Sequence, residues 1–486
     1  HKKVLDSLAY YELVLMQLLI QEAKEQSLSR SGLVIDKSSR NLQEKAIATL
    51  PFTLTTSQVK AVEALNEKLG NKTPSSTLLN ADVGAGKSIV AQLACLRAVE
   101  AGYQAVILGP TDTLARQLYS TFEKIITALA AKGETVTMVY LAGGMKAAER
   151  RKILAAIKSG KVDIVVGTHS VMSDSVEYAN LGFIAIDEQQ KFGVEQRTKL
   201  LTSRFDGNIP DLLMQTATPI PRSTAQVFYG DVDMLLLTEK PPGRLPIITK
   251  WVKEDPNEVI TQAINPMWSD IQEEASKGNQ TFIITPMVKD SSTIDAASVE
   301  RTYATLEKTF STLRVGFIHG QMKQEQQVIT MEAFRRKEFD VLVASTVVEV
   351  GVDIPDATRV VVLSADRMGA SSLHQIRGRV GRNNKQSYCY LVSLGLTENS
   401  QVRLQSLVDS SEGIEVAKAD LLVRGEGKLF SDSQSGASEM MFASLIRHGK
   451  WVKQAKEEAL AILASPHRAL ALDDSRKHFQ AEGRLV

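Results

Sequence analysis

The chain has 486 residues, of which 43% are hydrophobic and 23% are charged, and its net charge is +1. This length fits two to four domains, and the composition is that of an ordinary soluble globular protein. A near-neutral charge excludes a polybasic nucleic-acid coat, so any nucleic-acid surface must be a local stripe. Cys95 and Cys389 lie far apart in sequence, which excludes a disulfide framework and indicates a reducing, cytoplasm-like compartment.

The first predicted element is an apolar run, "LAYYELVLMQLLIQ", which Glu12 and Gln17 interrupt. The run is shorter than the roughly 20 apolar residues of a bilayer span, and it lacks a signal-peptide cleavage pattern. We therefore expect a helix packed against the body of the protein, and no membrane partner. Because the chain starts at His1 rather than at methionine, we also expect a longer natural N-terminus.

Short apolar strands alternate with helix-period segments through most of the chain, which predicts parallel sheets with helices on both faces. The first series contains "STLLN", "AVILG", "VTMVYL", "DIVVGT", "FIAID" and "LLMQTAT". After the linker-like "EKPPGRLP", a second series contains "TFIIT", "VGFIHG", "VLVAST", "RVVVLS" and "SYCYLVS". The pattern predicts an α/β protein with two doubly wound domains in tandem, at 49–245 and 246–395. A helical segment, 1–48, precedes them, and a mainly helical region, 396–486, follows.

The stretch "ADVGAGKS" follows the first predicted strand and precedes a helix-period segment. This is the context of a phosphate-binding loop, in which backbone N–H groups at the helix N-terminus bind phosphate oxygens. Lys87 would supply a cation to the β- and γ-phosphates, and Ser88 would supply a hydroxyl to Mg²⁺. Ala81 replaces the first glycine of the pattern G-x-x-x-x-G-K-[ST], which is compatible if its φ is negative. A plain glycine turn is the alternative.

Two acidic residues, Asp187 and Glu188, end the predicted strand "FIAID". A carboxylate at that position lies beside a phosphate-binding loop and can hold Mg²⁺, so we assign Asp187 to the metal. Glu188 would orient and deprotonate the attacking water. The alternative is a solvated acidic turn. After the next strand, Thr216 and Thr218 present hydroxyls that would link this loop to the second domain.

The stretch "SSLHQIRGRVGRNNKQ" places Gln375, Arg379 and Arg382 at i, i+4 and i+7, which predicts that one helical face carries all three. Arginine spreads the transition-state charge of a γ-phosphate, so this segment is a candidate arginine finger. A solvated basic helix is the alternative, although Gly378 and Gly381 are unusual in such a helix.

In order and spacing, these motifs resemble the motor of superfamily 2 helicases and translocases, and more closely the RecG family of bacterial DNA helicases. The similar segments are "LPFTLTTSQ", "LGPTDTLARQ", "VVGTHSVM", "IDEQQKFGVEQR", "TATPIPR", "FIHGQMK", "VLVASTVVEVGVDIP" and "LHQIRGRVGR". After the motor, "IEVAKADLLVRGEGKLFSDSQSG" resembles the TRG region, a helical hairpin and loop that couples hydrolysis to DNA movement. The resemblance implies two RecA-like domains that bind ATP between them.

The resemblance also implies residue roles. The catalytic residues would be Lys87, Asp187, Glu188, Gln375, Arg379 and Arg382. Gln58 would recognise adenine within an ATP site of Phe52, Gln58, Asp82, Val83, Gly84, Ala85, Gly86, Lys87, Ser88, Gly351 and Asp353. DNA would contact Pro110, Thr111, Arg116, Thr168, His169, His319, Gly320, Ser345 and Thr346. Coupling would involve Thr216, Thr218, Arg403, Arg424 and Gln434. For His169 and His319, a core or capping role is the alternative.

The resemblance implies an ATP- and Mg²⁺-dependent monomeric motor that remodels branched double-stranded DNA in recombination and repair. Single-stranded-DNA-binding protein is a candidate partner. The chain departs from the sequence motifs of the family at Gln190, Lys191 and Ser433. The family's N-terminal wedge, an OB-fold, is not recognisable in the 486 residues of this sequence. Two alternatives stay open. One is a translocase like transcription-repair coupling factor, whose motor carries E-E-Q-R-F-G-V, and the other is a non-hydrolysing ATP-binding scaffold.

Overall fold

The computed structural model describes residues 2–28, 31–36, 41–188, 206–216, 232–239, 244–262, 265–286, 292–345, 354–381, 383–424, 442–443 and 445–479. The chain divides into two compact units. The first comprises His1–Glu239 together with Arg424–Val486, and the second comprises Lys240–Val423. The two ends of the chain therefore belong to the same compact unit. The sequence pattern instead predicts that 1–48 and 396–486 are two regions separate from the α/β domains.

The first unit is built on a parallel sheet. Among the described residues, this sheet has seven strands in the order β3-β4-β2-β5-β6-β1-β7, and every neighbouring pair is parallel. The carboxyl ends of these strands consequently lie at one edge of the sheet. The strands are β1 Ser76–Ala81, β2 Gln104–Leu108, β3 Met138–Leu141, β4 Ile164–Gly167, β5 Leu181–Ile186, β6 Asp211–Thr216 and β7 Asp233–Leu237.

Helices and two apolar cores cover this sheet. The helices of this part of the chain are α1 Lys2–Leu28, α2 Leu42–Ile47, α3 Thr56–Leu69, α4 Lys87–Glu100, α5 Asp112–Ala130 and α6 Ala147–Lys158. Alternate residues of the central strands point into one core with α2 to α5, and into a second core beside α6. Helix α4 is buried from Ile89 to its end because its sequence is apolar on nearly every side. It thus fixes the phosphate-binding loop at its N-terminus to the core.

The second unit contains another parallel sheet. Its described strands have the order β10-β11-β9-β12-β13-β8. The strands are β8 Ile248–Val252, β9 Gln280–Thr285, β10 Val315–Ile318, β11 Val341–Ser345, β12 Ala357–Leu363 and β13 Tyr388–Val392. The helices are α7 Pro256–Gln262, α8 Pro266–Ser276, α9 Ser292–Thr309, α10 Gln324–Arg335, α11 Ala370–Arg377, α12 Glu398–Asp409 and α13 Gly413–Arg424. The predicted class, an α/β protein with two doubly wound parallel sheets, is confirmed.

The sequence pattern does not predict β7 or β8. Each is the last strand at one end of its sheet, and most of its residues are exposed or half-buried. A run of apolar residues is the signal that reveals the central strands of a parallel sheet. Thr249 and Lys250 interrupt that signal in β8, whereas β7 contains a short apolar run, 234–237, that the pattern overlooks.

Helix α1 packs against the last helices of the chain, which are α14 Leu445–His448, α15 Val452–Leu463 and α16 Arg468–Phe479. The segment Lys3–Glu22 has a mean hydropathy of 1.2, and by length and composition alone it would cross a membrane. Here 61% of that segment is buried inside the protein, so its apolar residues form a core with α15 and α16. The expected packing of this helix against the body of the protein is confirmed.

A fully buried carboxylate, Glu12, joins α1 to the C-terminal part of the chain. Its Oε2 accepts hydrogen bonds from the backbone N–H groups of Phe442 at 2.8 Å and Ala443 at 2.7 Å. Its Oε1 lies 3.2 Å from Nε2 of His478 on α16. These contacts explain why an acidic residue interrupts the apolar run, because a buried charge requires several partners.

We predict that Glu12→Ala loosens the C-terminal helices. Each buried N–H group left without an acceptor costs about 1–3 kcal/mol of stability. Hydrogen exchange in α15 and α16, together with the thermal midpoint, measures the effect. Glu22→Ala is the matched control, because the ion pair of Glu22 with Arg476 at 2.7 Å is partly exposed and contributes about 1 kcal/mol or less. Equal protection of α15 and α16 in the two variants would contradict the prediction.

A second buried carboxylate, Asp211, begins β6 and is 1% exposed. Its Oδ1 accepts hydrogen bonds from the backbone N–H and the hydroxyl of Ser75, both at 2.7 Å. Its Oδ2 has no hydrogen-bond partner in the described part of the chain. Burial raises the pKa of Asp211 from 3.8 to about 7, although the hydrogen bonds from Ser75 act in the opposite direction.

This raised pKa predicts a pH-dependent stability. Because the folded state binds the proton of Asp211 more tightly than the unfolded state, the contribution is complete below the unfolded pKa. It is lost as the pH rises through the folded pKa, and the loss is about 1.4 kcal/mol for each pH unit that separates the folded pKa from the unfolded one. We expect the free energy of unfolding to fall between about pH 5 and about pH 8, and Asp211→Asn to reduce this fall. Urea unfolding at both pH values tests this, and an equal fall in the two proteins would refute it.

Candidate active site at the carboxyl edge of the first sheet

Predicted site residues follow five neighbouring strands of the first sheet at its carboxyl edge. In the spatial order of the strands, Thr168 and His169 follow β4, Pro110 and Thr111 follow β2, Asp187 and Glu188 follow β5, Thr216 ends β6, and 82–88 follow β1. The residues predicted for ATP and coupling thus occupy β5, β6 and β1, and those predicted for DNA occupy β4 and β2. The fold brings both sets to one edge.

The phosphate-binding loop has the backbone of an anion site. Gly84 and Gly86 both have a φ of 80°, in the left-handed region that favours glycine. Gly86 is the N-cap of α4, and no side chain caps this helix. Asp82 holds the start of the loop, because its Oδ1 accepts from the N–H of Val83 at 2.7 Å and its carbonyl accepts from the N–H of Ala85 at 3.2 Å. An uncapped helix N-terminus after such a loop suits a phosphate group.

Ala81 is the last residue of β1 and pairs with Leu237 of β7. It is 2% exposed, and it is not among the described residues with a positive φ. The backbone at this position therefore does not require glycine. The condition set for an alanine in the motif, a negative φ, is met.

The acidic turn contacts the lysine of the loop. Nζ of Lys87 lies 3.4 Å from Oε1 of Glu188, and the two side chains are only 10% and 14% exposed. Glu188 has a φ of 49°, a left-handed conformation that costs a residue other than glycine about 1–3 kcal/mol. Its N–H donates to Oδ1 of Asp187 at 3.1 Å, and the N–H of Asp187 donates to the carbonyl of Leu108 on β2 at 2.9 Å. Such strain is typical of functional positions.

Ser88 and Asp187 provide one hydroxyl and one carboxylate beside the loop. Across the described ranges, no group of three histidine, cysteine or acidic residues could hold a metal ion alone. Mg²⁺ is commonly bound through one or two protein oxygens together with substrate phosphates and water. Ser88 and Asp187 therefore fit a Mg²⁺ ion that arrives with a nucleotide.

Gln58 lies against the phosphate-binding loop and is 2% exposed. Its Oε1 accepts from the N–H of Thr55 at 2.9 Å, which forms half of a capping box at the start of α3. Its Nε2 donates to the carbonyl of Ala85 at 2.9 Å. The side chain thus holds the loop to α3 by bonds within the protein. Phe52 is 52% exposed nearby in sequence. Contact of either residue with adenine stays a prediction.

We predict that Gln58→Glu weakens phosphate binding, because the new carboxylate faces the carbonyl of Ala85 instead of donating to it. One lost hydrogen bond of this kind corresponds to about 1 kcal/mol, or roughly a fivefold change in affinity. The affinities for ATP and for tripolyphosphate, which has no adenine, are measured by calorimetry. A loss of affinity for tripolyphosphate shows that the phosphate site itself is weakened. A loss of ATP affinity alone would favour adenine recognition and contradict this prediction. Gln43→Glu is the matched control, because the Nε2 of Gln43 donates to the carbonyl of Leu93 at 3.0 Å in the core.

The residues predicted for DNA in the first unit lie at its surface. The side chain of Thr111 accepts from the N–H of Leu114 and begins α5. Arg116 is exposed on the second turn of this helix. Thr168 precedes a short 3-10 helix, His169–Met172, and His169 is exposed, which does not fit the alternative of a core histidine.

Two residues predicted for DNA in the second unit are buried. His319 is 7% exposed and stacks on Phe317, with ring centroids 5.9 Å apart. Its Nε2 lies 3.4 Å from Oε1 of Glu300, and its carbonyl accepts from the N–H of Met322 at 3.2 Å. This arrangement fits the core or capping alternative. Ser345, at the end of β11, is 1% exposed, whereas Gly320 is exposed. Direct DNA contact by His319 or Ser345 therefore requires a change in their burial.

The prediction of one helical face for the arginine segment is wrong. Helix α11 contains Gln375 but ends at Arg377, and Arg379 lies in the turn that follows, where its N–H donates to the carbonyl of Ile376 at 3.0 Å. Gly381 has a φ of 73°, and a Cβ there would lie 2.9 Å from Ile247. The two glycines thus end the helix and allow a tight approach of the chain.

Arg377, for which the sequence predicts no role, holds two parts of the second unit together. It is 3% exposed, and its guanidinium donates to the carbonyls of Leu407, Ser410 and Ser411 at 2.8, 2.7 and 3.1 Å. These carbonyls lie at the end of α12 and before α13. The arginine therefore holds the start of the predicted coupling region against α11, and only three-dimensional packing reveals this.

Three residues predicted for coupling are described. Thr216 is buried opposite Asn80 of β1, Nη2 of Arg403 donates to the carbonyl of Asp366 at 2.6 Å, and Arg424 ends α13. The remaining predicted positions lie outside the described residues. They are Thr218, Thr346, Gly351, Asp353, Arg382 and Gln434, together with the departures Gln190, Lys191 and Ser433.

Comparison with known proteins identifies the class. A model of DEAD/DEAH box helicases matches residues 55–227, and a model of the helicase conserved C-terminal domain matches residues 259–384. The first match contains six of the seven described strands of the first sheet, and the second contains four of the six described strands of the second sheet. The chain therefore carries both halves of a superfamily 2 helicase motor.

The individual relatives are more specific. ATP-dependent DNA helicase RecG of Streptococcus pneumoniae is 38% identical over 464 residues, which is 94% of this chain and 66% of the relative. RecG of Aquifex aeolicus is 38% identical over 451 residues, which is 92% of this chain and 54% of the relative. A solved structure of RecG bound to a three-way DNA junction has a TM-score of 0.74 and 32% identity, and the match covers 94% of this chain and 57% of that one. The chain belongs to the RecG family of helicases, and it spans less than two thirds of the length of these relatives.

Proposed function

We propose that the protein is an ATP-dependent translocase and helicase that acts on double-stranded DNA and remodels branched forms such as stalled forks and Holliday junctions, in recombination and repair. One observation carries the proposal. The anion-binding loop and the acidic turn Asp187–Glu188 lie at the same sheet edge as the exposed loops after β2 and β4. A nucleotide site and a nucleic-acid site on neighbouring strands are what a translocating motor requires. The family relationship and the RecG structure with a three-way junction support branched DNA as the substrate.

The contacts of Lys87 suggest how hydrolysis is controlled. We propose that the amides at the N-terminus of α4 and Lys87 bind the phosphates of ATP, while Ser88 and Asp187 hold Mg²⁺. The metal ion would neutralise charge on the phosphate oxygens. Since Lys87 contacts Glu188 at 3.4 Å, binding of the phosphates would draw the lysine away from this carboxylate. Glu188 would then accept a proton from the attacking water, so the base becomes available only when substrate is present.

The second unit would contribute Gln375, Arg379 and Arg382 to hydrolysis. Arg379 lies in the turn after α11. Arginine is suited to this role because its guanidinium spreads the charge of the transition state. We further propose that the protein acts as a monomer in the cytoplasm, with single-stranded-DNA-binding protein as a partner.

We predict that Lys87→Ala abolishes ATP-dependent activity through loss of nucleotide binding. Glu188→Gln should leave ATP binding intact but lower turnover by about 10²–10⁴-fold, the usual contribution of a general base. ATPase rates with and without a branched DNA measure both effects. Lys68→Ala is the control, because Lys68 forms an ion pair with Asp233 at the surface. If DNA does not change the ATPase rate of the unsubstituted protein, the motor proposal is refuted and an ATP-binding scaffold is favoured.

A further inference from the structure

An ordered arginine stands beside the loops after β2 and β4. Arg116 lies on the second turn of α5, and its side chain is 62% exposed. Its guanidinium is stacked over the ring of Tyr140 on β3, 4.7 Å from the centroid. Its Nε donates to Oδ2 of Asp112 at 2.7 Å. Within the described part of the chain, its two Nη groups have no hydrogen-bond partner.

Tyr140 holds the same carboxylate from the other side. Its hydroxyl donates to Oδ1 of Asp112 at 2.6 Å, while the edge of its ring meets Tyr119, with centroids 5.9 Å apart. Burial and this hydrogen bond raise the pKa of Tyr140, so its hydroxyl remains a donor at physiological pH. The tyrosine thus supports the guanidinium by its ring and orients the accepting carboxylate by its hydroxyl.

The arrangement differs from an ordinary surface ion pair. An exposed ion pair four residues apart on a helix stabilises the protein only weakly and leaves a long side chain mobile. Here a neighbouring strand supplies a ring and a hydroxyl to the pair, so the guanidinium plane is fixed while its outer N–H groups remain open. A planar pair of outer N–H donors matches the oxygens of a phosphate group.

The location indicates the ligand. Tyr140 pairs with Val166 of β4, two residues before Thr168, and Arg116 follows Thr111 at the start of α5. The fixed guanidinium is therefore at the sheet edge that carries the loops predicted for DNA. The sequence predicts a role for Arg116 but none for Asp112, Tyr119 or Tyr140.

We propose that Tyr140 is a positioning residue that holds the guanidinium of Arg116 ready for a phosphate of the DNA backbone. The inference rests on the proposed function, since it assumes that Arg116 contacts DNA. Fixing a long side chain before binding removes part of the ordering cost that binding otherwise carries. Tyr140 would therefore strengthen DNA binding without touching the DNA.

The test is a double-mutant cycle with the full chain and a fluorescent DNA duplex, measured by anisotropy over a range of salt concentrations. We expect Arg116→Ala to weaken binding and to lower the slope of log K against log salt by about one, as for loss of one phosphate contact. We expect Tyr140→Leu to weaken binding by about three- to tenfold, and to have no further effect in the Arg116→Ala background. Tyr140→Phe, which keeps the ring and loses the hydroxyl, should give an intermediate loss.

Tyr303→Leu is the matched control, because Tyr303 is half-buried and its hydroxyl donates to a carboxylate of its own helix, Glu307, at 2.7 Å. It should bind DNA as the unsubstituted protein does. Thermal melting and the ATPase rate without DNA check that each variant is folded. If Tyr140→Leu does not fold, the cycle of Arg116→Ala with Tyr140→Phe decides the question.

The outcomes separate the two proposals. If Arg116→Ala leaves both affinity and salt slope unchanged, then the DNA contact of Arg116 is refuted, and the role of Tyr140 with it. If Arg116→Ala weakens binding but Tyr140→Leu does not, or if the two losses add, the positioning role is overturned while the DNA contact stands.

Discussion

Parallel pairing of the strands is the constraint on which the rest of this structure depends. Because every neighbouring pair in the first sheet is parallel, the strands end at the same edge, and the chain must cross back over the sheet before each next strand begins. Residues as distant in sequence as Lys87 and Glu188 are therefore in contact. The core achieves this by burying β1, β2, β4, β5 and β6 almost completely. Their order places the nucleotide loops and the exposed loops side by side.

At that edge several polar side chains already have partners within the protein. Lys87 is paired with Glu188, both ends of the Gln58 amide are bonded, and Asp82 orders the loop between them. Binding of a nucleotide is thus an exchange of partners. Such an exchange keeps the reactive groups from standing unpaired in a half-buried site, where an unpaired charge is costly. Because Gln58 joins the start of α3 to the phosphate-binding loop, a ligand that contacted this side chain would act on the loop as well.

How far the sequence predicts this depends on whether a feature is local. The central strands and the loop before Lys87 are local patterns, an apolar run or a motif in its strand–loop–helix context, and both are found as expected. The features that the sequence predicts wrongly depend on packing between distant segments of the chain. The i, i+4, i+7 spacing suggested a helix through Arg379, but Gly378 ends that helix, and the burial of His319 and Ser345 follows from neighbours on other elements. The sequence does not predict the roles of Arg377 and Tyr140, because those roles exist only between chain segments that the fold brings together.

The contact between α1 and the last helices has a consequence for biosynthesis. Helix α1 is translated before both sheets, and α15 and α16 follow roughly 400 residues later. At ribosomal rates this takes about 20–80 s, during which α15 and α16 cannot cover the apolar face of α1. Both sheets can fold in that interval, whereas the contact of α1 with α15 and α16 forms only after these two helices emerge. The apolar face of α1 is thus exposed while both sheets are synthesised, which makes it a site for chaperone binding or for aggregation.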